Sequence, residues 1–408
     1  MFSGPTRWAP VARIVWLAAS HPAGIRNVTI LTVNPDKIGT VACRGEASMA
    51  MSIFQDIKNM TEEGLSRWLV GQGVERYRAG QVLRWIYQRN VSHLSEMTDL
   101  SKDLRKRLAE GLTISRLQPE RVVRSSDGSK KYLFGLSDGC HVEAVAIPER
   151  GHWTLCVSSQ VGCAMGCRFC LTGRGGLVRS LEPCEIINQV CAVKEDLGLH
   201  DEPLTNIVFM GMGEPLANYE NVVQAIRIIT GNNGLRFSTR RVTLSTVGLA
   251  PRIDELGRDI TVNLAVSLNA ADNATRDRLM PINRTYPLET LLSACSRFPL
   301  PSRRMITFEY VLIAGVNDST TDARRLAGLL RPLRAKLNLI PFNPFEGSGF
   351  ERPDEAAILA FQKILTDHHY TAMIRWSKGQ DIGAACGQLR ADTLCAIGSG
   401  QEGADSPS

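Results

Sequence analysis

Cys163-Ala164-Met165-Gly166-Cys167-Arg168-Phe169-Cys170 sets three cysteines at C-x3-C-x2-C spacing, directly after the strand-like run 153–158. Three thiolates hold three corners of a cubane iron-sulfur cluster and leave one iron without a protein ligand. A cluster that only carried electrons would usually be closed by a fourth cysteine. The next one, Cys184, lies beyond a Gly-rich turn and inside a predicted helix. With eleven Cys in 408 residues, chance would supply this spacing about 0.01 times per chain, on composition arithmetic alone. Structural zinc wants four closed ligands in paired C-x2-C halves, and neither a second half nor an H-x3-H follows.

Outward from that stretch the chain alternates helices and apolar strands. Helices are predicted over 182–197 and 219–229, and strands over 206–210, 241–245, 261–268, 305–312 and 337–341, with 153–158 in front. Regular βα alternation implies a mostly parallel sheet with helices outside it. Six strands suit an α/β fold of the partial (βα)6 barrel type, with a doubly wound open sheet as the alternative. Catalytic groups then belong at the C-terminal strand ends.

The motifs sit there. Gly211-Met212-Gly213-Glu214-Pro215 follows the strand ending at 210. Glycine lets the backbone approach a ligand and a carboxylate accepts from an ammonium group, although a Gly-rich turn alone is more often a tight βα connection. Ser245 ends the next strand, Ser267-Leu268-Asn269 the one after, and Asn343 follows the last in Pro341-Phe342-Asn343-Pro344-Phe345. Each offers donors or acceptors, and each alone is more often a cap or turn residue. After a further strand over 372–376, Cys386 lies in a Gly-flanked loop, Asp381-Ile382-Gly383-Ala384-Ala385-Cys386-Gly387-Gln388-Leu389. A free cysteine is most commonly an inert small hydrophobe.

Toward the N-terminus, strands over 131–136 and 141–147 are punctuated by Ser126-Asp127-Gly128 and Ser137-Asp138-Gly139, which signal hairpins. Glu143 stands among Val142, Val145 and Ile147; a lone strand carboxylate usually marks the solvated side of a sheet. Residues 61–111 carry helical spacing, with Gly71 and Gly73 separating two helices and Ser101 placed to cap a third. Between residues 60 and 131, 14 Lys and Arg stand against nine Asp and Glu, a net of +5 of the chain's +6. That surplus suits phosphate contacts, and equally a solvated helix face. Residues 1–50 show no sustained period.

Length and a 44% hydrophobic, 22% charged composition allow a large core and more than one domain. The apolar run 14–19 is too short to span a bilayer and lacks a cleavage site. No membrane association is expected. Eleven cysteines without an export signal imply reduced thiols and a cytoplasmic location.

The C-x3-C-x2-C signature resembles the radical S-adenosylmethionine (SAM) enzymes. Leu155-Cys156-Val157-Ser158-Ser159-Gln160-Val161-Gly162-Cys163 and Ala385-Cys386-Gly387-Gln388-Leu389 are similar to the RlmN type of adenine C2 methyltransferase, over about residues 55–398. The resemblance implies a 4Fe-4S cluster on Cys163, Cys167 and Cys170, and two SAM per turnover. It implies SAM contacts from Gly213, Glu214, Ser245, Ser267, Leu268, Asn269 and Asn343. Asn269 replaces a His common in relatives, which leaves the backbone contact there but not the side-chain role. It further implies that Cys386 carries the methyl group, that Glu143 accepts a proton, and that Cys156 resolves the RNA adduct as a disulfide. Expected partners are 23S rRNA at the peptidyl-transferase centre, the tRNA anticodon arm, and an electron donor such as flavodoxin; the protein is expected to be a monomer.

On this reading residues 1–55 are a disordered extension or a start site placed too early. Residues 56–118 form a small helical RNA-binding domain, 119–150 a β-hairpin linker, 151–390 the radical SAM barrel with its C-terminal Cys loop, and 391–408 a tail. Cys43, Cys140, Cys184, Cys191, Cys295 and Cys395 match no role. Two other functions stay open: a Cfr-type C8 methyltransferase with the same cysteines, and a non-enzymatic iron-sulfur protein that binds RNA. The latter would have no use for both Cys156 and Cys386.

Overall fold

The computed structural model describes residues 54–198 and 202–390. The expected extension before residue 54 and the tail 391–408 lie outside the described residues.

One ten-stranded sheet runs in chain order from edge to edge: β1 Pro119–Arg124, β2 Lys130–Gly135, β3 His141–Glu149, β4 His152–Cys156, β5 Leu204–Phe209, β6 Val242–Thr246, β7 Asn263–Ser267, β8 Ile306–Leu312, β9 Ala335–Pro341 and β10 Ala372–Ile374. Strands β4 to β10 pair parallel, and β1 to β4 antiparallel. Helices Pro183–Leu197, Tyr219–Thr230, Ala250–Asp259, Leu288–Arg297, Thr320–Leu330 and Glu355–Asp367 each cross between successive parallel strands. That makes six βα units with β10 closing the last, the partial (βα)6 barrel that the alternation implied.

Parallel strands covered by helices are apolar on both faces. In β9, Leu337 and Leu339 are fully buried, and in β8 Phe308, Tyr310 and Leu312 are too. The exception within that run is Glu309, a buried carboxylate. Crossover helices start where the sequence supplies caps: Ser319 and Asp322 form a capping box, and Asp354 accepts from the Ala357 N–H at 2.7 Å.

The hairpins do not stand apart from the barrel. Their strands β1 to β3 continue its sheet through β4, with Val145 opposite Cys156. Strand β1 was not visible in the sequence because most of its residues, including Glu120 and Arg121, are exposed and it has no apolar alternation.

The helices Glu62–Gly71, Arg78–Tyr87 and Lys102–Gly111 follow the expected pattern. Ser101 Oγ accepts from the Leu104 N–H at 3.2 Å, and Leu65, Leu69, Val82, Ile86, Leu104 and Leu108 turn inward. Side chains bind this segment to the barrel helices: Lys58 Nζ donates to Asn188 Oδ1 at 2.6 Å, and Gln224 Nε2 to the Asn59 carbonyl at 2.6 Å. Among the described residues no helix is long and apolar enough to cross a membrane.

Candidate active site

The cysteine loop leaves the sheet at the C-terminal end of β4. Short strands Gln160–Gly162 and Leu177–Ser180 pair antiparallel and close its neck, where the Cys163 N–H donates to the Gly176 carbonyl at 2.7 Å. Cys163 and Cys167 are buried and Cys170 half-buried, Cys167 and Cys170 packing with Leu279, Met280, Ile313 and Phe342. Burial pushes the Cys163 thiol up to about 12, and the charge of Cys170 adds to it; burial and both neighbours raise Cys167. Three thiolates in so apolar a pocket repel one another, and a cationic metal centre relieves that repulsion. Backbone donors from Met165 face Cys163, and those of Thr172 and Gly173 face Cys170, as sulfur ligands require. Among the described residues no three His, Cys, Asp or Glu side chains are arranged to share a single ion. A cubane does not ask for that, since each thiolate takes a different iron. The residues present therefore fit the cluster.

Beside this loop, at the C-terminal ends of the parallel strands, is a cavity of about 150 Å³. Of the sequence-predicted residues, Gly213, Glu214, Ser245, Ser267, Asn343, Cys386 and Cys170 line it. Gly213 has φ +101°, and a Cβ there would stand 2.5 Å from Gln160 Cβ. Only glycine serves where the chain passes so close. Glu214 is buried beneath it and accepts from the Leu216 N–H at 2.9 Å and the Val247 N–H at 2.8 Å. Burial outweighs these donors and pushes its carboxyl up to about 7.

Leu268 and Asn269 lie behind the cavity wall. The Asn269 side chain is committed to the fold: Oδ1 accepts from the Val311 N–H at 2.8 Å, with φ +59° at that residue. The Leu268 carbonyl accepts from Arg276 Nε at 3.1 Å. Arg276 is fully buried and also donates to the Val247 carbonyl at 2.7 Å, tying the ends of β6 and β7 together. Burial lowers its pKa to about 10, so it stays charged at neutral pH.

The Cys386 loop closes the cavity from the opposite side. Asn343 Nδ2 donates to the Cys386 carbonyl at 3.1 Å, and Thr172 Oγ1 to the Leu389 carbonyl at 2.5 Å. The β1–β2 turn latches the same loop: Asp127 Oδ2 accepts from the Gly379 N–H at 2.7 Å, and Ser125 Oγ donates to Asp381 Oδ1 at 2.6 Å. The Cys386 thiol is open to the cavity yet walled by protein, and burial, with Glu309 and Cys170 nearby, pushes it up to about 11. Cys156, at the end of β4, is buried just outside the cavity, and its thiol is raised by burial and then by Cys386. Both are free thiols. Glu143 is not on the cavity wall. It is buried beneath the C-terminal loop, with Oε1 paired to Lys131 Nζ at 3.1 Å and Oε2 accepting from the Arg390 N–H at 2.9 Å.

Sequence reasoning missed Glu309 and Arg276. Glu309 lines the cavity and accepts from Ser245 Oγ at 2.7 Å and from the Ser267 hydroxyl, so the two predicted serines share it. Its signal was present: a carboxylate in the run Ile306–Leu312 has no solvated face to occupy. Arg276 gave none, because its acceptors are carbonyls that only folding assembles.

Six βα units with a three-cysteine cluster loop at their C-terminal mouth define a radical SAM enzyme. Residues 157–327 match the family model of the radical SAM superfamily, and residues 55–114 that of the ribosomal RNA large subunit methyltransferase N-terminal domain. The chain is 55% identical to the dual-specificity RNA methyltransferase RlmN of Geobacter sulfurreducens, covering 86% of this chain and 97% of that one. It is 57% identical to the protein of that name from Desulfosudis oleivorans, covering 83% and 91%. Its fold is similar to the crystal structure of a radical SAM methyltransferase from Sphaerobacter thermophilus, with a TM-score of 0.77 and 45% identity, covering 82% of this chain and 99% of that one. The chain belongs to the RlmN family of radical SAM methyltransferases. Its cofactors are a 4Fe-4S cluster and SAM.

Proposed function

We propose that this enzyme methylates C2 of an adenosine in the peptidyl-transferase centre of 23S rRNA and of an adenosine in the tRNA anticodon arm, with Cys386 as the methyl carrier. Carbon 2 of adenine is electron-poor and cannot attack the SAM methyl group itself. The cluster, when bound, supplies the electron that converts a second SAM into the radical that activates the carrier. The other roles belong to the chain. Cys386 takes the methyl group by displacement as a thiolate and presents it to the adenine. Glu143 accepts the proton that the adduct must lose, and Cys156 releases the product by forming a disulfide with Cys386. The helical domain docks RNA phosphates, an electron donor such as flavodoxin feeds the cluster, and the enzyme acts as a cytoplasmic monomer.

The observation that carries this reading is the meeting of two distant cysteines at one cavity. Cys386 lines it, and Cys156 lies near enough to feel its charge. Glu143 is held under the loop that carries Cys386, so it reaches the adduct only if its bonds to Lys131 and the Arg390 N–H open. Mass mapping of ribosomal and transfer RNA from cells lacking the protein tests the reading. Loss of 2-methyladenosine is expected in both RNAs; loss of 8-methyladenosine instead would assign the Cfr-type reaction.

A further inference from the structure

Among the described residues, the cavity is lined by two carboxylates, Glu214 and Glu309, and by no lysine or arginine. Glu214 accepts one backbone N–H on each oxygen and keeps a second acceptor site on each. Glu309 is buried midway along β8 and held from β6 and β7 by the hydroxyls of Ser245 and Ser267. A carboxylate of this kind costs free energy in a ligand-free protein, since hydroxyls only partly replace its hydration. Burial accordingly raises its pKa, and the cation that most opposes this among the described residues, Arg375, is exposed and off the cavity wall. Each carboxylate oxygen has a second acceptor site, and on Glu309 those not used by the serines are left to the cavity.

SAM brings two cationic centres, its ammonium and its sulfonium. Glu214 in the Gly211–Pro215 turn answers the first. We infer that Glu309 is the counter-charge to the sulfonium, and so makes the site prefer SAM over S-adenosylhomocysteine, which has lost that charge together with the methyl group. The inference rests on SAM as cofactor and is independent of which adenine carbon is methylated. It also supplies what two SAM per turnover requires. Once the methyl group is on Cys386, the neutral thioether product is held less tightly and gives way to a second SAM.

Isothermal titration of the cluster-loaded enzyme without RNA measures the affinities for SAM and S-adenosylhomocysteine in the wild type and in Glu309→Gln. The glutamine keeps the shape, and its amide oxygen and N–H group can meet the two serine hydroxyls as acceptor and donor. SAM binding is expected to weaken by at least about tenfold, the effect of one unit charge about 12 Å away in a medium of effective dielectric near 20, and by more at shorter range. S-adenosylhomocysteine binding is expected to stay within about twofold, with iron content unchanged. Equal weakening of both ligands would show a hydrogen bond to the shared nucleoside and overturn the inference, as would no change in either. Should Glu309→Gln fail to fold, the wild type decides with a SAM analogue carrying an amine in place of the sulfonium: affinity near that of SAM supports the inference, and affinity near that of S-adenosylhomocysteine overturns it.

Discussion

The backbone N–H of Leu171, the residue after the third cluster cysteine, donates to the carbonyl of Gly387, the residue after Cys386, at 2.7 Å. The loop of the three clustered cysteines and the loop of Cys386 are thus locked in register by main-chain atoms. Gly387 makes this possible: its φ is +82°, and an added Cβ would stand 3.1 Å from the Phe169 carbonyl oxygen.

Replacing Gly387 by Val should therefore displace Cys386 while sparing the cluster. A β-branched residue in the left-handed region costs on the order of 1–2 kcal/mol before the clash is counted. Iron content and RNA-independent SAM cleavage should stay near wild type, with RNA methylation down at least about tenfold. Equal loss of iron and methylation would mean that the glycine supports the cluster loop alone.

RNA docking should depend on lysines more than on arginines in the helix Lys102–Gly111. The sequence presents Arg105, Lys106 and Arg107 as one basic run, but Arg105 donates to the Ser95 carbonyl and Arg107 to the Gln72 carbonyl. Lys102 and Lys106 are exposed. Lys102→Gln with Lys106→Gln should lower the slope of log affinity against log salt by about 1.5–2 and leave SAM cleavage intact. An unchanged slope would assign these charges to solubility.

These contrasts show what the sequence carried and what it did not. Ser101, the Asp-Gly turns and the C-x3-C-x2-C loop are local signals, in which a cap, a left-handed glycine or a ligand spacing is complete within a few residues, and each is found in place. Ser245 and Ser267 were found by their position at strand ends, while the carboxylate they share sits in a different strand and surfaced only in three dimensions. Glu143 was singled out on a resemblance, and its bonds to Lys131 and the Arg390 N–H could not be read from a strand pattern. The latch from Asp127 to the Gly379 N–H is likewise a contact between distant segments that no local period encodes.

SAM affinity should depend on pH through Glu214. Burial pushes this carboxyl up to about 7, so below that value it is protonated and cannot oppose an ammonium group. Binding of the cation must then expel a proton, and affinity should fall about tenfold per pH unit below 7 and level off above it. Titration calorimetry of the cluster-loaded enzyme between about pH 5.5 and 8 checks this. Glu214→Gln should bind weakly at every pH and show no such slope; the same slope in that variant would move the titration to another group.

The most direct test of the account separates the two cysteines by step. Without Cys386 there is no carrier, so Cys386→Ala should leave RNA unmodified and free. Without Cys156 the carrier can still be methylated and can still join adenine, but nothing releases the link, so Cys156→Ala should trap the enzyme on RNA. Denaturing gel analysis of Cys156→Ala after reaction, followed by nuclease and protease digestion and mass spectrometry, should show one adenosine joined through Cys386. Normal turnover by Cys156→Ala, or a trapped link at any other residue, would contradict it.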